Sequence, residues 1–110
     1  MFYNSFLVLQ SQLAFEQEGK ISLNGSDVLV RSFPYTSRWE LTVELSSNNL
    51  PSELRACLRS GRKLPLESEN IYLQMNRGRV ILVQMIPSPK KYLHYKHYME
   101  NFLESLALWE

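Results

Sequence analysis

The stretch from Glu69 to Glu110 constrains the fold most: it reads as two strands, a tight turn and one long amphipathic helix. Ile71, Leu73 and Met75 alternate with Tyr72 and Gln74, the period-two pattern of a strand with one better-buried face. Asn76-Arg77-Gly78 turns the chain, with Gly78 supplying the positive φ of a three-residue hairpin loop with a bulge. The returning strand, Val80 to Ile86, is apolar on both faces over Val80, Ile81, Leu82 and Val83, which predicts a position inside the sheet with cover on both sides. Ser88-Pro89 follows as an N-cap and first helical residue. Tyr92, Tyr95, Met99, Phe102, Leu106 and Trp109 then recur at three- and four-residue steps and form one apolar helix face. Lys90 and Lys91 at the helix start, with Glu104 and Glu110 toward its end, run against the macrodipole, so packing against the sheet must stabilise this helix.

The upstream chain supplies what that unit packs against. Phe2, Phe6, Leu9 and Leu13, widened by Tyr3 and Leu7, predict a short amphipathic helix over the first twelve residues. Its face is broad, and the leading expectation is that it docks on the core, the alternative being that Phe2, Tyr3, Phe6 or Leu9 stay exposed as a binding patch. Ile21–Leu23 and Val28–Phe33 read as strands joined by a turn at Asn24-Gly25-Ser26-Asp27. A third strand carries Leu41, Val43 and Leu45 after the loop Pro34-Tyr35-Thr36-Ser37. Ser46-Ser47-Asn48-Asn49 ends it. Pro51, Leu54, Cys57, Leu58 and Gly61 then mark a helix of roughly three turns closed by glycine. The prediction is one α+β domain spanning residues 1–110: helix, three-strand antiparallel meander, helix, two-strand hairpin, and a long C-terminal helix packed on the sheet.

Composition removes several function classes. Hydrophobic residues make up 45% and charged residues 21% of the chain, which excludes disorder as the default. The single cysteine, Cys57, cannot form an internal disulfide and reads as a small core residue. No apolar run is long enough for membrane insertion or a signal segment, so a cytoplasmic protein is expected. Cations between Arg55 and Lys96 are scattered over several elements without a supporting motif, so no nucleic-acid partner is expected. His94 and His97 lie on the last helix with no third strong ligand on their face, so no metal site is expected. The absence of a phosphate loop, nucleophile elbow or acidic cluster points away from an enzyme and from a cofactor. What remains is an excess of aromatic and aliphatic side chains, with Phe33, Tyr35, Trp39, Tyr72, Tyr98 and Leu108 lying off the main stripes. They must be core or meet a partner.

Three segments in order carry a family resemblance: Leu13-Ala14-Phe15-Glu16-Gln17-Glu18-Gly19-Lys20-Ile21-Ser22-Leu23, Gly78-Arg79-Val80-Ile81-Leu82-Val83-Gln84-Met85-Ile86-Pro87, and Met99-Glu100-Asn101-Phe102-Leu103-Glu104-Ser105-Leu106-Ala107-Leu108-Trp109. Together they resemble the class I type III secretion chaperones, the small cytosolic dimers similar to the Tir chaperone. The chain departs from the usual acidic character of that family in its formal net charge of +1. The resemblance implies a homodimer that binds an extended N-terminal segment of a secreted effector without ATP or catalysis. Carried onto this sequence, effector contacts are expected at Phe2, Phe6, Leu9 and Val30, and dimer contacts at Leu54, Leu58, Tyr72 and Gln74. The competing expectation is an adaptor or assembly subunit of a secretion apparatus that binds a folded protein.

Overall fold

In the computed structural model, which describes residues 2–45, 50–66 and 70–109, the elements follow the expected order. Helix α1 (Phe2–Glu16) leads into strands β1 (Glu18–Leu23), β2 (Ser26–Phe33) and β3 (Arg38–Glu44). Helix α2 (Ser52–Arg59) precedes strands β4 (Leu64–Pro65), β5 (Ile71–Asn76) and β6 (Arg79–Pro87), and helix α3 (Tyr92–Trp109) closes the chain. The expected strand end at Ser46–Asn49 and the positions Glu67–Glu69 and Glu110 lie outside the described residues.

The meander and the hairpin join in one six-stranded antiparallel sheet of order β1-β2-β3-β6-β5-β4, because β3 pairs with β6 along its whole length from Arg38↔Pro87 to Glu44↔Ile81. The α+β architecture is as read from the sequence. Several local details differ. The β5–β6 connection is a two-residue turn, with Asn76 paired to Arg79 and positive φ at both Arg77 and Gly78. Two consecutive left-handed residues form a type I′ turn, whose twist matches the strands without a bulge. Asn24-Gly25 makes the same turn between Leu23 and Ser26. Helix α1 continues past its expected end to Glu16, since nothing interrupts it until Gln17 takes φ 60°. Helix α2 is 8 residues, nearer two turns than three. Helix α3 starts at Tyr92 rather than at Ser88-Pro89, because the Ser88 N–H donates to the Ser37 carbonyl at 2.9 Å and holds that residue at the strand end. The short strand β4 was not expected, since Leu64-Pro65-Leu66 carries no alternation long enough to signal one.

One hydrophobic core lies between the sheet and all three helices. Ile21, Leu23, Val28, Val30, Trp39, Leu41, Val43, Ile71, Leu73, Val80, Leu82 and Ile86 face it from the strands, and the expected stripe of α3 supplies Tyr95, Met99, Phe102 and Leu106. Leu50 and Leu58 enter from the α2 side. The opposite sheet face has no helix over it among the described residues. Strand β6 is therefore central, as its composition predicts, but covered on one side only. Cys57 is half-buried rather than a core residue.

Helices α1 and α3 are locked by an aromatic cluster. The Phe6 and Tyr95 rings lie 4.8 Å apart, and Trp39 meets Tyr95 edge-on at 6.3 Å. The Ser5 hydroxyl donates to the Phe2 carbonyl at 2.8 Å, which leaves the Tyr95 hydroxyl to donate to Ser5 Oγ at 2.6 Å. Burial pushes the Tyr95 phenol above its ordinary pKa, partly offset by the hydrogen bond with Ser5. A folded pKa raised above the unfolded value of about 10 favours folding fully below that pH and loses the contribution as pH rises through the folded value. Urea midpoints of the wild type are expected to fall more steeply above about pH 10 than those of Tyr95→Phe, which has no phenol to ionise.

At Gly19 α1 side chains pass close to the sheet backbone. A Cβ there would lie 2.5 Å from Gln12 Oε1 and 2.9 Å from Leu9 Cδ2. Gly19→Ala is expected to cost about 1–3 kcal/mol by pushing α1 outward, checked by urea unfolding.

Candidate partner-binding surfaces

The structure divides the expected effector contacts between interior and surface. Phe6 is buried, and Leu9 and Val30 have 0% exposure, so these three hold α1 on the sheet. This follows from helix geometry: the side of α1 with the strongest apolar periodicity is the side that meets β1 and β2. Phe2 alone of the four keeps part of its surface in solvent. The outward side of the same helix carries Tyr3, Leu7 and Val8, all exposed, with Phe15 at 86% exposure near its end. Leu7 and Val8 break the three-and-four spacing of the buried stripe, which is the sequence signal for an outward apolar patch. Tyr3 also touches α3, edge-on to Tyr92 at 5.2 Å.

The expected dimer contacts do not share one patch. Leu58 is 1% exposed inside the core, whereas Leu54 is half-buried on α2. Leu54 borders an apolar groove of about 490 Å³ with Leu64, Leu66, Ile71, Leu108 and Trp109. Tyr72 and Gln74 lie on the helix-free face of the sheet. There Tyr72 stands beside Val83, which is flanked on its other side by Thr42 and beyond it Leu29. Val83 is only 2% exposed yet stands apart from the main core, while Leu29 is open to solvent. Ile81 and Met85 extend this apolar strip along β6 and are half-exposed. Sequence reading names Tyr72 and Gln74 and pairs their strand with β6, but misses Thr42 and Leu29, which join the row only through the β3–β6 pairing.

Charged pairs border the strip. Glu44 and Arg79 form an ion pair toward one end, and Glu18 accepts from Arg31 Nε at 2.8 Å toward the other. Beyond Met85 the face opens into a groove of about 920 Å³, lined among others by Arg31, Phe33, Tyr35, Arg38 and Glu40. Tyr35 is fully exposed and Phe33 is 37% exposed, while Trp39 belongs to the core. These grooves offer apolar surface with ion pairs at the margin, the chemistry of a protein-binding surface.

The two sheet edges differ. Just past β4 the Leu66 N–H donates to the Ile71 carbonyl, so the residue turned outward between Leu64 and Leu66 is Pro65, which has no N–H. Strand β1 is longer and its outward groups are backbone donors and acceptors that a further strand can pair with. No helix among the described residues is long and apolar enough to cross a membrane. No group of three His, Cys, Asp or Glu side chains suited to a metal occurs among the described residues, and His94 and His97 are exposed.

No protein-family model and no curated protein matches the chain. Among solved structures it is similar to a chain of the HopA1-SchA chaperone-effector complex, with a TM-score of 0.66 at 20% sequence identity, covering 98% of this chain and 92% of that one. At that identity the likeness establishes the fold. Over nearly its whole length, this chain is folded like a chain of a chaperone-effector complex.

Proposed function

We propose that this protein is a cytoplasmic type III secretion chaperone that binds an N-terminal segment of a secreted effector and keeps it extended and competent for secretion. The observation that carries the reading is the agreement of fold over 98% of the chain with a chain of a chaperone-effector complex. Two features of the surface support it: separate exposed apolar patches and a long sheet edge at β1 that carries no proline. Separate shallow sites suit an extended chain better than a compact ligand. Strand pairing at β1 supplies main-chain hydrogen bonds whatever the cargo sequence, and side chains entering the patches set selectivity. Apolar burial contributes about 25 cal/mol per Å², offset by roughly 2–5 kcal/mol for ordering the cargo. The reading needs no ATP, cofactor or catalytic group.

Within this reading cargo meets Phe2 together with Tyr3, Leu7 and Val8, and Phe6, Leu9 and Val30 act from beneath by fixing the helix. A homodimer forms through the strip around Tyr72, Gln74 and Val83, with Leu54 at its margin and Leu58 supporting α2 from inside. Isothermal titration against N-terminal segments of effectors encoded beside the gene tests the function. Saturable binding by a segment that stays unfolded in the complex is the expected result. Binding only to a folded partner would favour the adaptor reading instead. Light scattering at tens of micromolar tests the dimer: Tyr72→Glu is expected to yield monomers, because it removes the aromatic contact and places a carboxylate in an apolar interface, at a cost of several kcal/mol.

A further inference from the structure

Strand β1 does not present its edge uniformly. In an antiparallel ladder every second residue turns its N–H and C=O toward the neighbouring strand, and the residues between turn theirs away. The Ser32 N–H donates to the Gln17 carbonyl at 2.9 Å, continuing the register Glu18↔Arg31, so the odd-numbered residues of β1 are bonded to β2. Glu18, Lys20 and Ser22 therefore turn their backbone groups outward. The central one of these donors is occupied: the Lys20 N–H donates to Oε1 of Gln12, at 3.0 Å. That side chain reaches the edge from α1, and it does so because Gly19 lacks a side chain. A Cβ at Gly19 would lie 2.5 Å from the same Oε1.

A primary amide is the side-chain analogue of a peptide group, planar with a carbonyl acceptor and N–H donors. We infer that Gln12 is a removable cap on the β1 edge, its Oε1 holding the place of a backbone carbonyl until an extended partner segment displaces it. The inference rests on the strand-pairing part of the proposed function and adds the residue that guards the edge. Two observations assign this edge to an extended segment. The outward groups of Glu18 and Ser22 flank the cap in the spacing of a strand, and within β4 the opposite edge presents Pro65, which cannot donate. The cap also serves the unloaded protein, since an open edge donor invites pairing between copies. Gln12 sits on α1 between Tyr3, Leu7 and Val8 on one side and Phe15 on the other, so cargo lying along that helix meets the cap and the edge together.

The test uses the full chain as wild type, Gln12→Ala and Gln12→Glu, the last keeping an acceptor. Residue-resolved amide exchange reads the cap. Lys20 is expected to exchange about tenfold slower than Ser22 in the wild type, to lose that protection in Gln12→Ala and to keep it in Gln12→Glu, the scale of one hydrogen bond. Binding is read by fluorescence anisotropy with a labelled peptide copying β2, Ser-Asp-Val-Leu-Val-Arg-Ser-Phe, a sequence that already pairs with β1. Gln12→Ala is expected to bind it about three- to tenfold more tightly than the wild type, and Gln12→Glu no more tightly. Backbone N-methylation of the peptide is expected to abolish binding. Unchanged Lys20 exchange in Gln12→Ala overturns the cap, whatever the peptide does. Faster exchange with equal peptide affinity overturns the competition. Faster exchange with no binding by any variant overturns strand pairing at this edge, a failure of the proposed function distinguishable from a failure of the cap. Concentration-dependent self-association of Gln12→Ala that restores Lys20 protection makes a second copy the occupant and overturns the assignment to a partner.

Discussion

Phe102→Ala is expected to lower the unfolding free energy by about 3–5 kcal/mol, the cost of removing a large aromatic side chain from a packed interior. The side chain has 0% exposure and lies on the α3 stripe between Met99 and Leu106, which are buried with it against the sheet. Helix α3 has no acidic residue in its first turn and no basic residue in its last, so its dipole gains little from its own charges. Its stability comes from the apolar face, and the cavity falls in the middle of that face. Because domains of this size have only about 5–15 kcal/mol in total, the variant stands near the limit of folding. Urea unfolding followed by circular dichroism checks this. A midpoint close to the wild type would mean that α3 is peripheral to the core.

The second large effect separates the two sides of α1. Phe6→Ser with Leu9→Ser is expected to unfold the protein or displace α1, since both side chains are buried and each loses its transfer energy while gaining a hydroxyl that needs a partner. A single Leu9→Ala alone is expected to cost about 2–5 kcal/mol. Tyr3→Ser, Leu7→Ser and Val8→Ser combined change exposed positions, so most of the unfolding free energy is expected to remain. Cargo affinity is expected to fall at least about a hundredfold, the equivalent of about 2.7 kcal/mol from three apolar contacts. Titration of an effector segment, with circular dichroism on the same samples, checks both halves. Retained binding in the surface variant would place cargo elsewhere, first on the groove beside Tyr35.

Much of the fold was legible because periodicity is local. The spacing of Tyr95, Met99, Phe102 and Leu106 identifies both the last helix and its buried face, and Ile71, Leu73, Val80 and Leu82 identify a hairpin with one side in the core. The turn sequences Asn24-Gly25 and Arg77-Gly78 carry the positive φ that each hairpin needs. The same local signal does not separate interior from surface. A broad apolar stripe at Phe2, Phe6 and Leu9 looks alike whether it meets the chain's own sheet or a partner, and only packing decides which. Leu58 is the same case on α2. The pairing of β3 with β6 was invisible because strand neighbours separated by a helix leave no mark in local spacing, and it is this pairing that puts Thr42, Val83 and Tyr72 in one row. The sequence by itself determined the three helices, five of the six strands and the α+β class, since these follow from the alternation of apolar and polar residues along the chain. Tertiary structure alone decided which apolar residues are left for a partner, and it set Gln12 against the Lys20 N–H, because both depend on distances between segments that the chain brings together only when folded.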